Sequence, residues 1–120
     1  MFGSDSVVTA VYQGKLHWFW GDTNRPSYPL GNFHEPFATS LLPHVGGLDP
    51  ELGVMLNYAV GKNGFAIEAA IMAGNGPTWI DGLVVLQDET RQSRLLAQYV
   101  KIKAPLPVYC LLFTSAAADE

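Results

Sequence analysis

Three carboxylic residues could serve proton transfer: Asp22 at the end of an apolar strand, Glu35 within the proline-rich segment that follows, and Asp81 just before an apolar strand. Asp22 ends the run Leu16-His17-Trp18-Phe19-Trp20-Gly21, a setting that desolvates a carboxyl as general acid or base work requires. The string Gly21-Asp22-Thr23 equally fits an Asx-turn in which Asp22 caps backbone N–H groups. Asp81, between Ile80 and Gly82, either faces a ligand from a strand start or makes the turn that Asp-Gly favours. Glu35, beside His34, reads either as an acid or hydrogen-bonding group or as a solvated loop carboxylate. Around them, Asn24, Arg25 and His34 offer polar contacts and Tyr28 and Phe33 offer flat faces, so the segment Trp18 to Ser40 is the candidate ligand-contacting stretch.

Other chemistries find no support. His34-Glu35 opens like His-Glu-x-x-His, but position 38 is Ala and Pro36 breaks the helix that motif needs. His17 reads as a packed or surface strand residue, and with His44 it completes no metal set. Gly46-Gly47 and Gly74-Asn75-Gly76 lack nucleotide-binding spacing, and no strong helix follows to meet a phosphate. Ser40 and Ser115 lack a nucleophile-elbow context, and Cys110 sits in an apolar run as a core thiol. No metal and no cofactor is expected.

Composition narrows the partners. The 120 residues carry a net charge of -4 with seven scattered Lys and Arg, which argues against a polyanion such as nucleic acid. Nearly half the residues are apolar and 15% are charged, a balance that suits one packed domain. The segment Met1 to Val11 does not look like a signal peptide, and no apolar run approaches the roughly 20 residues of a spanning helix. A single cysteine excludes an internal disulfide and leaves the compartment open.

The positioning elements read as strands. Ser6 to Tyr12, the turn Gln13-Gly14-Lys15, and Leu16 to Gly21 form a hairpin, with Leu16, Trp18, Trp20 and Asp22 on one face and Lys15, His17 and Phe19 on the other. Two tryptophans on one strand face are expected to pack inward. Thr23 to Asp49, with four prolines, reads as a long ordered loop without strand or helix period. Val54 to Val60, the Gly61 to Gly64 turn and Phe65 to Glu68 give a second hairpin, while Ala69 to Gly74 has the propensity for one helical turn. A buried strand is expected from Leu83, then a third hairpin over Arg94 to Ile102 and a last strand over Val108 to Thr114. The pattern predicts an all-β chain of antiparallel hairpins.

The string Leu16-His17-Trp18-Phe19-Trp20-Gly21-Asp22-Thr23 resembles the opening blade of propeller proteins related to glycoside hydrolases and of an uncharacterised, DUF4185-like group. Gly76-Pro77-Thr78-Trp79-Ile80-Asp81-Gly82, followed by Leu83 to Leu86 and Arg94 to Tyr99, is similar to a blade whose strand start faces a central channel. The resemblance covers about half of the chain and implies a partial β-propeller domain over 1–115, one to two N-terminal blades; the end at 116–120 reads as a frayed tail. It also implies a carbohydrate ligand and glycoside hydrolysis, which uses carboxyl groups about 5 to 5.5 Å apart for retention or 6.5 to 9.5 Å for inversion. In that reading Asp22 is the base or pKa-setting carboxylate, Glu35 the acid and Asp81 a positioner. One alternative is a non-catalytic structural or interaction β-sheet module in which the same carboxylates hold turns; another is an open β-sheet whose unpaired edges lead to self-association.

Overall fold

The computed structural model of the chain describes residues 3–25, 28–33, 35–49, 51–74, 76, 78–102 and 108–115, with backbone alone for 3, 24–25, 28–33, 102 and 108–115. The chain is all-β and antiparallel, with one short 3-10 turn at Pro43–Val45 among the described residues. Its strands are β1 (Gly3–Ser4), β2 (Val7–Tyr12), β3 (Lys15–Trp20), β4 (Thr23–Arg25), β5 (Tyr28–Phe33), β6 (Phe37–Leu41), β7 (Asn57–Tyr58), β8 (Thr78–Gln87), β9 (Ser93–Ile102) and β10 (Val108–Ser115). They make a four-stranded sheet in the order β2-β3-β6-β7, a three-stranded sheet β8-β9-β10, and a small sheet β1-β4-β5. The expected tail at 116–120 lies outside the described residues.

The first hairpin forms as the Val and Thr pattern predicts. Tyr12 faces Lys15 across the two-residue turn Gln13-Gly14, whose φ values of 48° and 72° match the primed turns that follow strand twist. Pairing Trp18 with Ala38 then adds β6 to the other edge of β3. The stretch expected as a loop from Thr23 to Asp49 instead contains three strands. Its prolines are compatible with strand because β4 and β5 form a short sheet, where a missing donor is tolerated. The second hairpin is reduced to a bridge between Val60 and Ala66 around the Gly61 to Gly64 turn, with β7 two residues long. Ala69 to Gly74 forms no helix; Ala69, Ala70 and Met72 lie in the core instead.

The core lies on the face of β3 opposite to the one expected. Val8, Phe19, Ala69, Met72 and Leu83 pack against the buried cluster Ala70, Ile80 and Ala97, between the four-stranded sheet and the β8-β9 pair. Trp18 and Trp20 point the other way and stack on each other, and Trp20 stacks on Tyr58 at 5.3 Å. Ala38, the β6 partner of Trp18, and Ser40 are both buried, and the Trp18 indole N–H donates to Ser40 Oγ at 2.9 Å. The tryptophans are therefore a partly exposed outer layer, and Phe19, stacked on Phe37, is the inward aromatic.

The third hairpin begins earlier than expected, at Thr78, and contains a β-bulge. Ile80 pairs with Tyr99 but Gly82 pairs with Gln98, so Asp81 is an extra residue without a partner on β9. The bulge inverts the alternation: the inward residues are Thr78 and Ile80 before it, and Leu83 and Val85, opposite Ala97 and Leu95, after it. Val84 and Leu86 consequently face solvent, so the apolar run Leu83 to Leu86 is half-buried rather than buried. A cluster of exposed apolar side chains also runs through the weakly paired segment 52–71, including Leu52, Met55 at 80% exposure, Phe65 and Ile71 at 86%.

Candidate functional site

Asp22, Glu35 and Asp81 line one cleft of about 170 Å³, together with Asp5, Ser6, Gly21, Trp79, Ile80 and Val100. Five pieces of chain converge there, Val100 coming from β9 and the other four carrying the polar groups. Asp22 leaves β3 just before β4, where Asp5 N donates to Asp22 O at 2.8 Å and Gly21 N donates to Asp5 O at 2.9 Å. These bonds, with the β1-β4 pairing, lay Asp5-Ser6 directly against Gly21-Asp22. A side chain at 21 would not fit, since its Cβ would lie 2.7 Å from Ser6 Oγ and 3.2 Å from Asp5 O. Ser6 itself carries a positive φ of 37°, a strained conformation for serine, with its N–H donating to Asp5 Oδ1.

Glu35 enters from the opposite side. Trp20 N donates to Pro36 O at 3.1 Å, Ala69 N donates to Glu35 O at 2.8 Å, and Pro36 bridges Glu68, so the backbone around Glu35 is fixed on two flanks. Its side chain is 2% exposed. Oε1 accepts a hydrogen bond from the N–H of Ile80 on β8, and Oε2 is buried without a hydrogen-bond partner. Burial pushes the Glu35 carboxyl up to about 8, the Ile80 N–H opposes this, and the charge of Asp22 adds to the rise. At neutral pH this carboxyl holds its proton.

The bulge supplies the third wall. The β8-β9 ladder is interrupted at Asp81, and Trp79, Ile80 and Asp81 all line the cleft, with Ile80 also part of the core. Trp79 then reaches across, its indole N–H donating to Asp22 Oδ1 at 2.9 Å. That bond fixes one oxygen of Asp22 and leaves the indole at the cleft wall. A protonated buried carboxyl and a second carboxylate in one cleft form the arrangement that acid–base catalysis uses, because the proton donor and the charged group have different environments.

Of the alternatives the sequence leaves open, the solvated-loop reading of Glu35 is overturned by its burial between Ala69 and Ile80. Asp81 belongs to a strand bulge rather than to a turn. Asn24 and Arg25 lie in β4, and Tyr28 and Phe33 lie in β5 rather than in a loop; their side chains, and His34 altogether, fall outside the described residues. His17 packs on Tyr12 at a ring separation of 5.6 Å, and burial lowers its pKa. Sequence reasoning misses Asp5, Ser6 and the polar role of Trp79. Nothing marks Asp5 and Ser6, because only the pairing of β1 with β4 brings them in, whereas Trp79, two residues before Asp81, shares a strand with a residue already singled out.

Among the described residues no group of three His, Cys, Asp or Glu side chains is arranged to hold a metal ion, and no helix is long and apolar enough to cross a membrane. Comparison with protein-family models, with curated proteins and with solved structures gave no match to this chain.

Proposed function

We propose that this chain is a carbohydrate-active module whose cleft transfers protons at a glycosidic bond. The observation that carries the reading is Glu35: a carboxyl 2% exposed, with Oε2 unpartnered, beside the carboxylate of Asp22. Protonated Glu35 is the acid, giving its proton to the leaving oxygen as the bond from that oxygen to the anomeric carbon breaks. Asp22 is the base, accepting a proton from the water whose oxygen forms the new bond to that carbon. Asp81 positions the sugar from the bulge. The preference for sugar rests on the likeness of Leu16 to Thr23 to glycosidase-related propellers; the four-stranded antiparallel sheet β2-β3-β6-β7 has the strand number of one blade, with β4 and β5 set aside in a separate sheet between β3 and β6.

The test is turnover of a panel of aryl glycosides by the wild type, Glu35→Gln and Asp22→Asn. The amide introduced by Glu35→Gln keeps an acceptor for the Ile80 N–H and removes the acidic proton, so a folded but inactive Glu35→Gln supports the reading. Unchanged turnover in both variants overturns it.

One observation favours a second reading. The Ile80 N–H lies beside the register shift on β8, an outer strand of its sheet, and Glu35 Oε1 satisfies it. Glu35 is then a structural tie between sheets in a non-catalytic binding module that self-associates through the exposed apolar segment 52–71. Glycan binding without turnover, with a concentration-dependent shift in size-exclusion chromatography, would favour it.

A further inference from the structure

The cleft has a chemical bias that proton transfer alone does not explain. Four of its nine lining residues, Asp5, Asp22, Glu35 and Asp81, are carboxylic, and none of the nine is Lys or Arg. Clustered carboxylates ordinarily imply a metal, yet among the described residues no three acidic groups are arranged to chelate one. A second observation points to a ligand rather than to a solvated acidic rim: Glu35, 2% exposed, carries an oxygen with no partner in the wall of the same cleft. A buried polar atom left unpartnered bears its full desolvation cost, which a ligand supplying the missing partner removes.

Size limits that ligand. A volume of about 170 Å³ is below the roughly 300 to 1,000 Å³ of sites for drug-sized molecules. One sugar ring fits the scale; a longer chain would have to extend outside. Charge limits it further. Negative potential from Asp5, Asp22 and Asp81, reinforced by a net charge of -4, repels a uronic acid and attracts a cation. Trp79, anchored through its N–H to Asp22, adds an indole at the wall, and an indole face attracts an ammonium group.

We propose that the cleft selects a single-ring ligand bearing a protonated primary amine, an amino sugar in place of a neutral or acidic one. The identification of the ring as a sugar rests on the carbohydrate reading above, whereas the preference for the amine rests on the cleft lining. The ammonium group is taken by Asp81 and Asp5 at the cleft edge, where both are exposed, and Glu35 meets the glycosidic oxygen from within.

The test is an NMR titration of the full chain with D-glucosamine, D-glucose and D-glucuronate at pH 7 and low salt, following the Trp79 indole N–H resonance. The expected result is a dissociation constant at least about tenfold lower for glucosamine than for glucose, no response to glucuronate, and a preference that shrinks in high salt. Asp81→Asn, at an exposed position, is expected to lower the ratio of glucosamine to glucose affinity several-fold. Equal affinity for glucose and glucosamine, an unaltered preference in Asp81→Asn, or no response to any of the three overturns the proposal. Turnover of neutral aryl glycosides without amine selection would sink this inference and spare the glycosidase reading. Amine-selective binding without turnover of any glycoside would do the reverse.

Discussion

Glu35 and Asp88 carry the same functional group and are treated in opposite ways. Asp88 sits in the turn between β8 and β9, partly open to solvent, and its oxygens are saturated: Oδ1 accepts from Thr90 N, Thr90 Oγ1 and Gln92 N, and Oδ2 accepts from Arg94 Nε at 2.9 Å. The Thr90 hydroxyl and the Gln92 N–H, with Arg94 next, hold it well below the usual carboxylate range. Glu35 has one donor, the Ile80 N–H, and burial holds it far above that range. Saturating a carboxylate with donors makes it a permanent anion that ties a turn. Burying it with one donor makes it a weak acid with a proton to give.

The sharpest way to break this contrast is to remove the proton without removing the acceptor. In the proposed glycosidase reading, Glu35→Gln is expected to lower glycoside turnover by roughly 10²- to 10⁴-fold, the range for loss of a positioned general acid, with the fold retained by circular dichroism. The equivalent change at Asp88, Asp88→Asn, is expected to leave turnover within about twofold, because the turn lies outside the cleft lining.

Stability against pH tests the same difference. Glu35 is raised from 4.5 to about 8 on folding. Below pH 4.5 both states are protonated and its contribution is complete. Between 4.5 and 8 the unfolded chain releases the proton while the folded chain keeps it, so stability falls as pH rises through this window. At about 1.4 kcal/mol per unit the loss is of the order of a few kcal/mol. Urea unfolding between about pH 5 and 8 should show this slope in the wild type and a flatter profile in Glu35→Gln; an identical slope in both would place the proton elsewhere.

How much of this is readable in the sequence depends on whether neighbours in the chain or neighbours in space decide. Local signals locate β2 and β3, because Val-Thr alternation and Gln13-Gly14 act within a dozen residues. They also single out Asp22, Glu35 and Asp81. The inward face of β3 is not legible, because nothing in Leu16 to Trp20 says on which side β8 and β9 will pack, and Phe19 rather than the tryptophans faces them. The bulge at Asp81 is hidden as well, since it is defined by pairing with Gln98 and Tyr99 on a separate strand. The prolines mask β4 and β5, whose small sheet tolerates the donors that proline lacks. The burial of Glu35 likewise follows from Ile80 and Ala69, distant residues that no local pattern reveals.

A narrower variant separates the N–H of Trp79 from its ring. Trp79→Phe keeps an aromatic wall but removes the donor to Asp22 Oδ1. Loss of one hydrogen bond to a charged group is worth about 1.5 to 3 kcal/mol, and a charge that remains partly solvated recovers part of it. A decrease in kcat/KM of about tenfold is expected, with little change in the unfolding midpoint. A fully active variant would show that Asp22 does not depend on this bond for its orientation.

The smallest effect belongs to Asp88, and its value lies in its sign. A carboxylate whose pKa is depressed on folding contributes stability above its unfolded value, near 3.8, and loses that contribution as pH falls toward the folded value. Asp88→Asn should therefore lower the melting temperature slightly at neutral pH, where the wild-type anion accepts from Thr90, Gln92 and Arg94, and the gap should narrow as the pH drops below 3.8. Glu35→Gln responds in the opposite sense, gaining on the wild type as pH rises from 4.5 toward 8. Measured in one set of melts, the two variants should move relative to the wild type in opposite directions along the pH axis. If both curves moved the same way, the contrast between a saturated and a starved carboxyl would not describe this molecule.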